Sequence, residues 1–397
     1  MTPPGGCDPA AIGAPPATAH GIYAHIPFCA RRCDYCDFFV AIGVDPAAID
    51  FFSDLARDLE LSVLSGGAVR PPADTVYLGG GTPSLVDPSA LGGFLAVCRR
   101  LVALTDDAEV TLEANPETVT RQAAEAWRAA GVTRLSLGFQ SFDDAVLRPR
   151  GRSYTAGEAS EAFAAARAAG FSNLSIDLIA GLPGETRASF ARGLTRLLAL
   201  APEHVSVYLL ETEESLKLTP LSRALREGRA HHTAEDEVIG MYDDACRRLG
   251  ENGYVQYEIA NFCRPGFASR HNMKYWLSLP WFAAGPSACS YVGGRRGARP
   301  ADLARWRDDV RAAAPPIDQS LGDPLACARE ALVLNLRLTA GVGADEFRAR
   351  WGYDAAALLE EALSGTGLEP LVHAAGGRLI LTGRGRLLSN EIFARLT

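Results

Sequence analysis

Three signals that often reveal a protein's surroundings are missing from this chain. Positive charge is not in excess: 39 Lys and Arg against 47 Asp and Glu leave a formal net charge of −8 over 397 residues. No broad basic surface for nucleic acid is therefore indicated. No apolar run reaches the roughly 18 residues that a membrane-crossing helix requires. The N-terminus, Met-Thr-Pro-Pro-Gly-Gly-Cys-Asp-Pro, has neither the basic start nor the apolar stretch of a secretory signal. Cysteine is present, but nine of them, an odd number with three in one loop, lack the pattern of a disulfide framework. They fit a reducing compartment, so the expectation is a soluble cytoplasmic protein. What remains is ordinary globular composition, 48% hydrophobic and 22% charged, on a chain long enough for two domains.

Residues 1–19 are rich in Pro, Ala and Gly and read as a disordered tail, with Cys7 an incidental thiol. From Gly21 the chain alternates between short β-branched runs and segments of helical periodicity. Strands are predicted at Gly21–Ile26, Asp74–Leu78, Glu109–Leu112, Val132–Leu137, Asn173–Ile179 and His204–Leu210. Helix starts are predicted at Asp45-Pro46, at Asp87-Pro88 and at Thr233 with Asp236 three residues on; Gly131 and Gly170 are predicted stops. Cys98 and Cys246 fall on apolar helical stripes and read as core. Six strand–helix units roughly 30 residues long argue for an α/β fold with parallel strands and helices outside. The pattern itself does not separate an open sheet from a curved, partly closed barrel. Beyond about residue 250 the alternation fades into irregular aromatics and glycines, and Arg299–Pro316 reads as a connecting segment. A smaller, mainly helical C-terminal domain begins near Asp323-Pro324 and ends in a hairpin and a final helix. The division is thus 1–19 tail, 20–250 core, 251–310 bridging segment and 311–397 C-terminal domain.

The chemistry concentrates directly after the first strand, in Phe28-Cys29-Ala-Arg-Arg-Cys33-Asp-Tyr35-Cys36. Three thiolates spaced C-x3-C-x2-C can converge on one metal centre if the loop curls around it. A closed structural zinc site takes four ligands, as does a protein-only cubane cluster. Three leave one iron open to a small molecule; three core or zinc-binding cysteines are the plain alternative. Further polar residues stand at successive strand ends: Gly80-Gly81-Thr82, Glu113, Gln140, Arg152 and Asp177. Ligands of parallel α/β folds bind at such positions.

The cysteine motif, with Tyr35 before its last member, resembles the radical S-adenosylmethionine (SAM) signature. The flanking Tyr23-x-His-Ile-Pro-Phe-Cys narrows the resemblance to the HemN/HemW group. That resemblance implies a partial (β/α)6 barrel. It also implies a [4Fe–4S] cluster on Cys29, Cys33 and Cys36, and SAM bound among Tyr23, Tyr35, Gly80, Gly81, Thr82, Glu113, Gln140, Arg152 and Asp177. A carboxylate for the ligand's amine, a guanidinium for its carboxylate and acceptors for its hydroxyls are what SAM needs. The family usually has histidine where this chain has Tyr154, two residues after Arg152.

The segment His271-Asn272-Met-Lys-Tyr275-Trp276 is similar to the H-N-x-x-Y-W motif of the HemW branch and is associated there with haem. Histidine and tyrosine are haem-iron ligands and tryptophan packs on porphyrin faces, so His271, Tyr275 and Trp276 are the haem candidates, His271 first. A hydrogen-bonded aromatic packing cluster is the alternative. HemN-type oxidases continue the cluster motif with Gly-Cys, whereas Cys36 is followed here by Asp37-Phe38. Leu249-x-x-Gly253-Tyr254-x-Gln256-Tyr257-Glu258 also looks like the HemW branch, while Cys289 replaces a histidine common in the family. The resemblance therefore implies a haem chaperone rather than an oxygen-independent coproporphyrinogen III oxidase of porphyrin biosynthesis, and no residue is given a catalytic role. Haem would be the cargo and acceptor haem proteins, of respiratory or bacterioferritin-like type, the partners. Nucleic acid is not expected; a homodimer and peripheral membrane contact are left open.

Overall fold

The computed structural model describes residues 19–67, 70–210, 219–320 and 322–397. The expected tail, with Cys7, lies outside them except for Ala19. Six parallel strands appear where the alternation places them: β1 (His20–Ile26), β2 (Pro72–Gly80), β3 (Ala103–Ala114), β4 (Arg134–Gln140), β5 (Leu174–Ala180) and β6 (His204–Leu209). Helices α1 (Phe51–Ser65), α2 (Pro88–Leu101), α3 (Arg121–Ala130), α4 (Ala156–Ala168) and α5 (Arg187–Leu200) connect them, and α6 (Glu235–Glu251) follows β6. Their starts follow local chemistry. Asp87 accepts from Ser89 N at 2.7 Å ahead of Pro88, and Thr155 and Glu158 form a reciprocal capping box. Two expected starts differ. Asp45 caps only a turn, through Ala47 N at 2.9 Å, and α1 begins at Phe51, after Asp50 turns left-handed. Thr233 gives its hydroxyl to Leu182 O at 3.1 Å instead of capping α6.

Residues beyond 250 are not irregular: they extend the sheet at both edges. β7 (Val255–Gln256) and β8 (Asn261–Cys263) join antiparallel beside β6. The chain then crosses through α7 (Arg270–Trp276) to the opposite edge, where β9 (Trp281–Ala284) runs parallel to β1. β10 (Cys289–Val292), β11 (Arg295–Ala298) and β12 (Ile317–Asp318) continue antiparallel. Among the described residues the order is β12-β11-β10-β9-β1-β2-β3-β4-β5-β6-β8-β7, an unclosed sheet. Side chains of β2 to β6 nonetheless face one shared cavity, so the sheet curves into a partial barrel.

The two faces of these strands differ. Ile22, Ile26, Val76, Leu78, Leu112, Leu135, Leu137, Ile176 and Val205 are buried in the main apolar core. The alternate positions are polar: Thr75 and Tyr77, Thr111 and Glu113, Arg134 and Ser136, Ser175 and Asp177, His204 and Ser206. Side chains alternate along a strand, so the barrel interior is a polar hollow instead of a packed core.

The supposed connecting segment carries α8 (Leu303–Arg311), whose Trp306 and Val310 are fully buried in the main core. Asp58 on α1 holds it: its Oδ1 accepts from Arg299 Nε at 2.7 Å, and its Oδ2 from Trp306 Nε1 at 2.7 Å and Gly285 N at 2.9 Å. The C-terminal part has a core of its own, built on Leu332, Leu336, Phe347, Leu359 and Ile392. There α9 (Pro324–Leu336), α10 (Ala344–Trp351), α11 (Ala355–Leu363) and the closing α12 (Ser389–Leu396) surround a three-stranded sheet. Among the described residues no helix is long and apolar enough to cross a membrane.

Candidate functional site

The loop after β1 is fastened at its base to the end of β2. Gly81 N donates to Ile26 O at 2.9 Å, Thr82 N to Phe28 O at 2.8 Å, and Ala41 N to Pro27 O at 2.7 Å. The approach is so close that a Cβ on Gly81 would lie 2.6 Å from the Pro27 carbonyl carbon. Gly80 beside it has φ +114°, a conformation that suits glycine. The loop therefore leaves β1 with its thiols held over the barrel mouth. Cys29 Sγ stands 3.4 Å from Thr82 Oγ1; Arg150 Nη1 anchors Asp34 at 2.7 Å.

A circuit of polar contacts continues from there. Asn115 Nδ2 donates to Thr82 Oγ1 at 3.3 Å, and Asn115 Oδ1 accepts from Arg152 Nη1 at 2.9 Å. Arg152 Nε donates to the Tyr35 hydroxyl at 3.0 Å, with the guanidinium over the rings of both Tyr35 and Tyr154. Tyr154, replacing the expected histidine, donates to Gly138 O at 2.6 Å and so forms a fixed shelf for Arg152. Gln140 holds φ +65°, a strained value for a residue with a side chain, and its amide folds back over Gly138.

Lower down, Glu113 accepts from the Tyr77 hydroxyl at 2.8 Å and from Gly80 N at 3.0 Å. Burial pushes its carboxyl above the usual range despite these donors. Asp177, raised likewise by burial, accepts from Ser136 at 2.9 Å and Ser175 at 3.2 Å. Cys29, Cys33, Cys36, Tyr35, Gly80, Gly81, Thr82, Glu113, Gln140, Arg152 and Asp177 all line one cavity of about 840 Å³. Tyr23 does not line it; its hydroxyl bonds His25 Nδ1 at 2.9 Å and its ring lies against those of Tyr77 and His271.

Residues 23–195 match the radical SAM superfamily and residues 323–388 the HemN C-terminal domain. The heme chaperone HemW of Mycobacterium tuberculosis is 35% identical over 387 residues, spanning 96% of this chain and 95% of its own length. That of Bacillus subtilis is 31% identical over 373 residues, 94% of this chain and 97% of its own. The chain belongs to the HemW family. Among solved structures, coproporphyrinogen III oxidase (HemN) from Escherichia coli superposes with a TM-score of 0.80 at 22% identity, covering 97% of this chain and 92% of that one. At that identity the likeness is one of fold.

The radical SAM superfamily implies a cluster and SAM, and the residues present fit both. Cys29, Cys33 and Cys36 are free thiols on one cavity wall. Burial, with neighbouring thiols, pushes Cys29 and Cys36 above the usual range; a bound metal takes the thiolate and reverses that. Among the described residues no three His, Cys, Asp or Glu side chains are grouped to hold a metal ion. A cubane cluster, which seats each thiolate on a different iron, does not need them so close. Buried carboxylates at Glu113 and Asp177 and the guanidinium of Arg152 match an ammonium, hydroxyls and a carboxylate.

The haem candidates of this HemW-family chain are placed differently from expectation. α7 is helical and sets His271 and Tyr275 one turn apart, joined Nε2 to hydroxyl at 2.8 Å. However, His271 is fully buried, its Nδ1 is 2.9 Å from Thr75 Oγ1, and its ring lies tilted against Tyr77 with centroids 5.2 Å apart. Both nitrogens are taken, so in this conformation His271 has no lone pair to offer iron. Burial holds it neutral, with its pKa pushed down to about 3. Tyr275 and Trp276 are partly exposed. Trp276 carries the Arg337 guanidinium 4.6 Å above its ring. Cys289 lies on β10, its thiol 3.7 Å from Ser290 O, and packs as a half-buried strand residue.

The sequence reading missed Tyr77, Asn115, Arg134, Ser136, Ser206, Tyr208 and Asn272, all of which line the cavity. The alternation of polar residues in strands otherwise suited to two-sided burial was the available signal.

Proposed function

We propose that this chain is a haem carrier that hands haem to acceptor haem proteins, built on a barrel holding a [4Fe–4S] cluster and SAM. The supporting observation is the 35% identity to a heme chaperone across 96% of the chain. Cys36-Asp37-Phe38 and the His271–Trp276 segment point the same way. Cys29, Cys33 and Cys36 would hold the cluster, whose open iron binds the amino-acid end of SAM. Glu113 meets the ligand's amine, Arg152 its carboxylate, and Gln140 and Asp177 its hydroxyls, with Gly80, Gly81 and Thr82 alongside. Tyr35 and Tyr154 keep Arg152 aimed. Tyr23 belongs to the packing beneath the site. For haem, Tyr275 and Trp276 precede His271, which would have to give up Thr75 or Tyr275 to become a ligand.

Two measurements on anaerobically reconstituted protein test this reading. Titration with haem should give a saturable Soret shift, weakened in Tyr275→Phe. Incubation with coproporphyrinogen III and SAM should yield no protoporphyrinogen. Absence of the Soret shift, or turnover of coproporphyrinogen, refutes the carrier.

A further inference from the structure

At the foot of the barrel, on the first residue of β4, sits a cation that no carboxylate touches, although Glu109 and Asp177 are near enough to favour its charge. Arg134 is 1% exposed, yet its Nε and Nη1 have no hydrogen-bond partner. No carboxylate among the described residues forms an ion pair with it. The nearby acids are committed elsewhere. Glu109 accepts from Arg270 N at 3.0 Å and His271 N at 3.1 Å, capping α7. Asp177 is held by Ser136 and Ser175. On the adjacent strand, in register with Arg134, stands Thr111. It is fully buried and its hydroxyl is also unpartnered. Leaving a guanidinium and a hydroxyl unsatisfied in one place costs several kcal/mol, and native interiors rarely do so.

Arg134 lines the same cavity as the cysteine loop, but not the same part of it. Arg134, Ser136, Gly138 and Gln140 form a ladder up β4, and Arg134 to Gln140 is about 20 Å at ~3.3 Å per residue. A ligand seated against Gln140 and Arg152 therefore leaves the foot unfilled. Arg152 is already bonded to Tyr35 and Asn115, so the two arginines are not duplicates.

We propose that Arg134 and Thr111 form a second ligand subsite at the foot of the barrel, selective for a carboxylate. A carboxylate has two oxygens, enough to accept from the guanidinium and the hydroxyl together, in a setting where charge-assisted bonds are strong. Two sources share this chemistry: a propionate side chain of haem, which rests on the haem-carrier reading, and a free small carboxylate, which does not.

The test uses the full-length protein. Thermal unfolding is followed with sodium propionate, using sodium chloride of equal ionic strength as reference, in the parent and in Arg134→Gln. The expected result is a propionate-dependent rise of a few degrees in the parent that is absent in the variant. Equal shifts in both, or none in either, overturn the subsite; bridging water would then satisfy Arg134. Should Arg134→Gln fail to fold, Thr111→Val, which keeps the shape and removes the hydroxyl, is expected to lose part of the shift. Haem and its dimethyl ester are then titrated against both proteins. An ester weaker by about ten-fold in the parent but equal to haem in Arg134→Gln assigns the subsite to a haem propionate. Equal binding of ester and acid alongside an intact propionate shift assigns it to a free carboxylate. Failure of haem to bind at all refutes the carrier reading and leaves the propionate result standing.

Discussion

Replacing Asp58 by asparagine tests whether the stretch from Gly285 to Arg311 is latched to the barrel or merely follows it. Asp58 is fully buried and receives three N–H groups, one each from Arg299, Trp306 and the Gly285 backbone, with the rest of the Arg299 guanidinium in ion-pair contact. Asparagine keeps the shape but turns one acceptor into a donor facing another donor, and it leaves the Arg299 guanidinium, 5% exposed, without its counter-charge. Removing one partner of a buried pair costs about 3–5 kcal/mol, a large share of the ~5–15 kcal/mol typical of a folded domain. At ~2–4 °C per kcal/mol, the melting midpoint should drop by roughly 10 °C. Urea and thermal unfolding by circular dichroism measure this directly. Glu60→Gln is the control: Glu60, on the same helix, meets Arg57 at 2.7 Å with both side chains well exposed, so about 1 kcal/mol or less is expected. The double variant Asp58→Asn with Arg299→Met should recover part of the loss, because the stranded charge is gone. The latch is refuted if Asp58→Asn lies within about 0.5 kcal/mol of the parent, or if the control costs as much.

Changing any one of Cys29, Cys33 or Cys36 to serine should take anaerobically reconstituted protein from about four irons per chain to nearly none, with the far-ultraviolet spectrum unchanged; brown, iron-replete variants would contradict the assignment. Gly81→Ala should also lose iron, since its Cβ meets the Pro27 carbonyl at 2.6 Å and displaces the loop; full iron content at unaltered stability would disprove that dependence. His271 has a folded pKa of about 3, below its unfolded value near 6.5. The unfolded chain therefore binds this proton first. The stability it confers is fully present above about pH 6.5 and is lost as pH falls from there towards 3, at up to ~1.4 kcal/mol per pH unit. His271→Phe should flatten the pH dependence of unfolding between pH 6 and 4, and an unchanged slope would mean His271 is not buried neutral.

Most of the barrel was legible because its elements are locally determined. Alternating β-branched runs gave the six strands, and Asp87, Gly131 and Gly170 punctuate helices through contacts within a few residues. The cysteine loop and the strand-end residues were legible for the same reason, since every parallel strand delivers its end to one rim. What was not legible depends on partners distant in sequence. β9 is four residues long and exists because β1 offers a free edge some 260 positions earlier. α8 looked like a linker because Arg, Asp and Ala dominate it; Trp306 is interior because Asp58 on α1 accepts its N–H, while Arg307 and Arg311 reach over Asp54 from the surface. The surroundings of His271 were hidden for a related reason: a motif names the residue but not whether Thr75 and Tyr275 already occupy its nitrogens. Nothing in the sequence singles out Arg134, and only the curvature of the sheet turns it towards the cavity.

The seating of α7 makes the two ends of the barrel unlike each other. Glu109 caps its first turn, Lys274 Nζ meets Asp74 Oδ1 at 2.6 Å and Ala19 O at 2.8 Å, and Arg270 grips Asp74 from the side. Asp74 and Ala19 sit where their strands begin, and Asn272 of the same helix lines the cavity, so α7 stands across the end of the hollow opposite the cysteine loop. A ligand on Arg134 would lie beneath one held at the rim, so the proposed subsite and the rim could be filled only from the lower position upward.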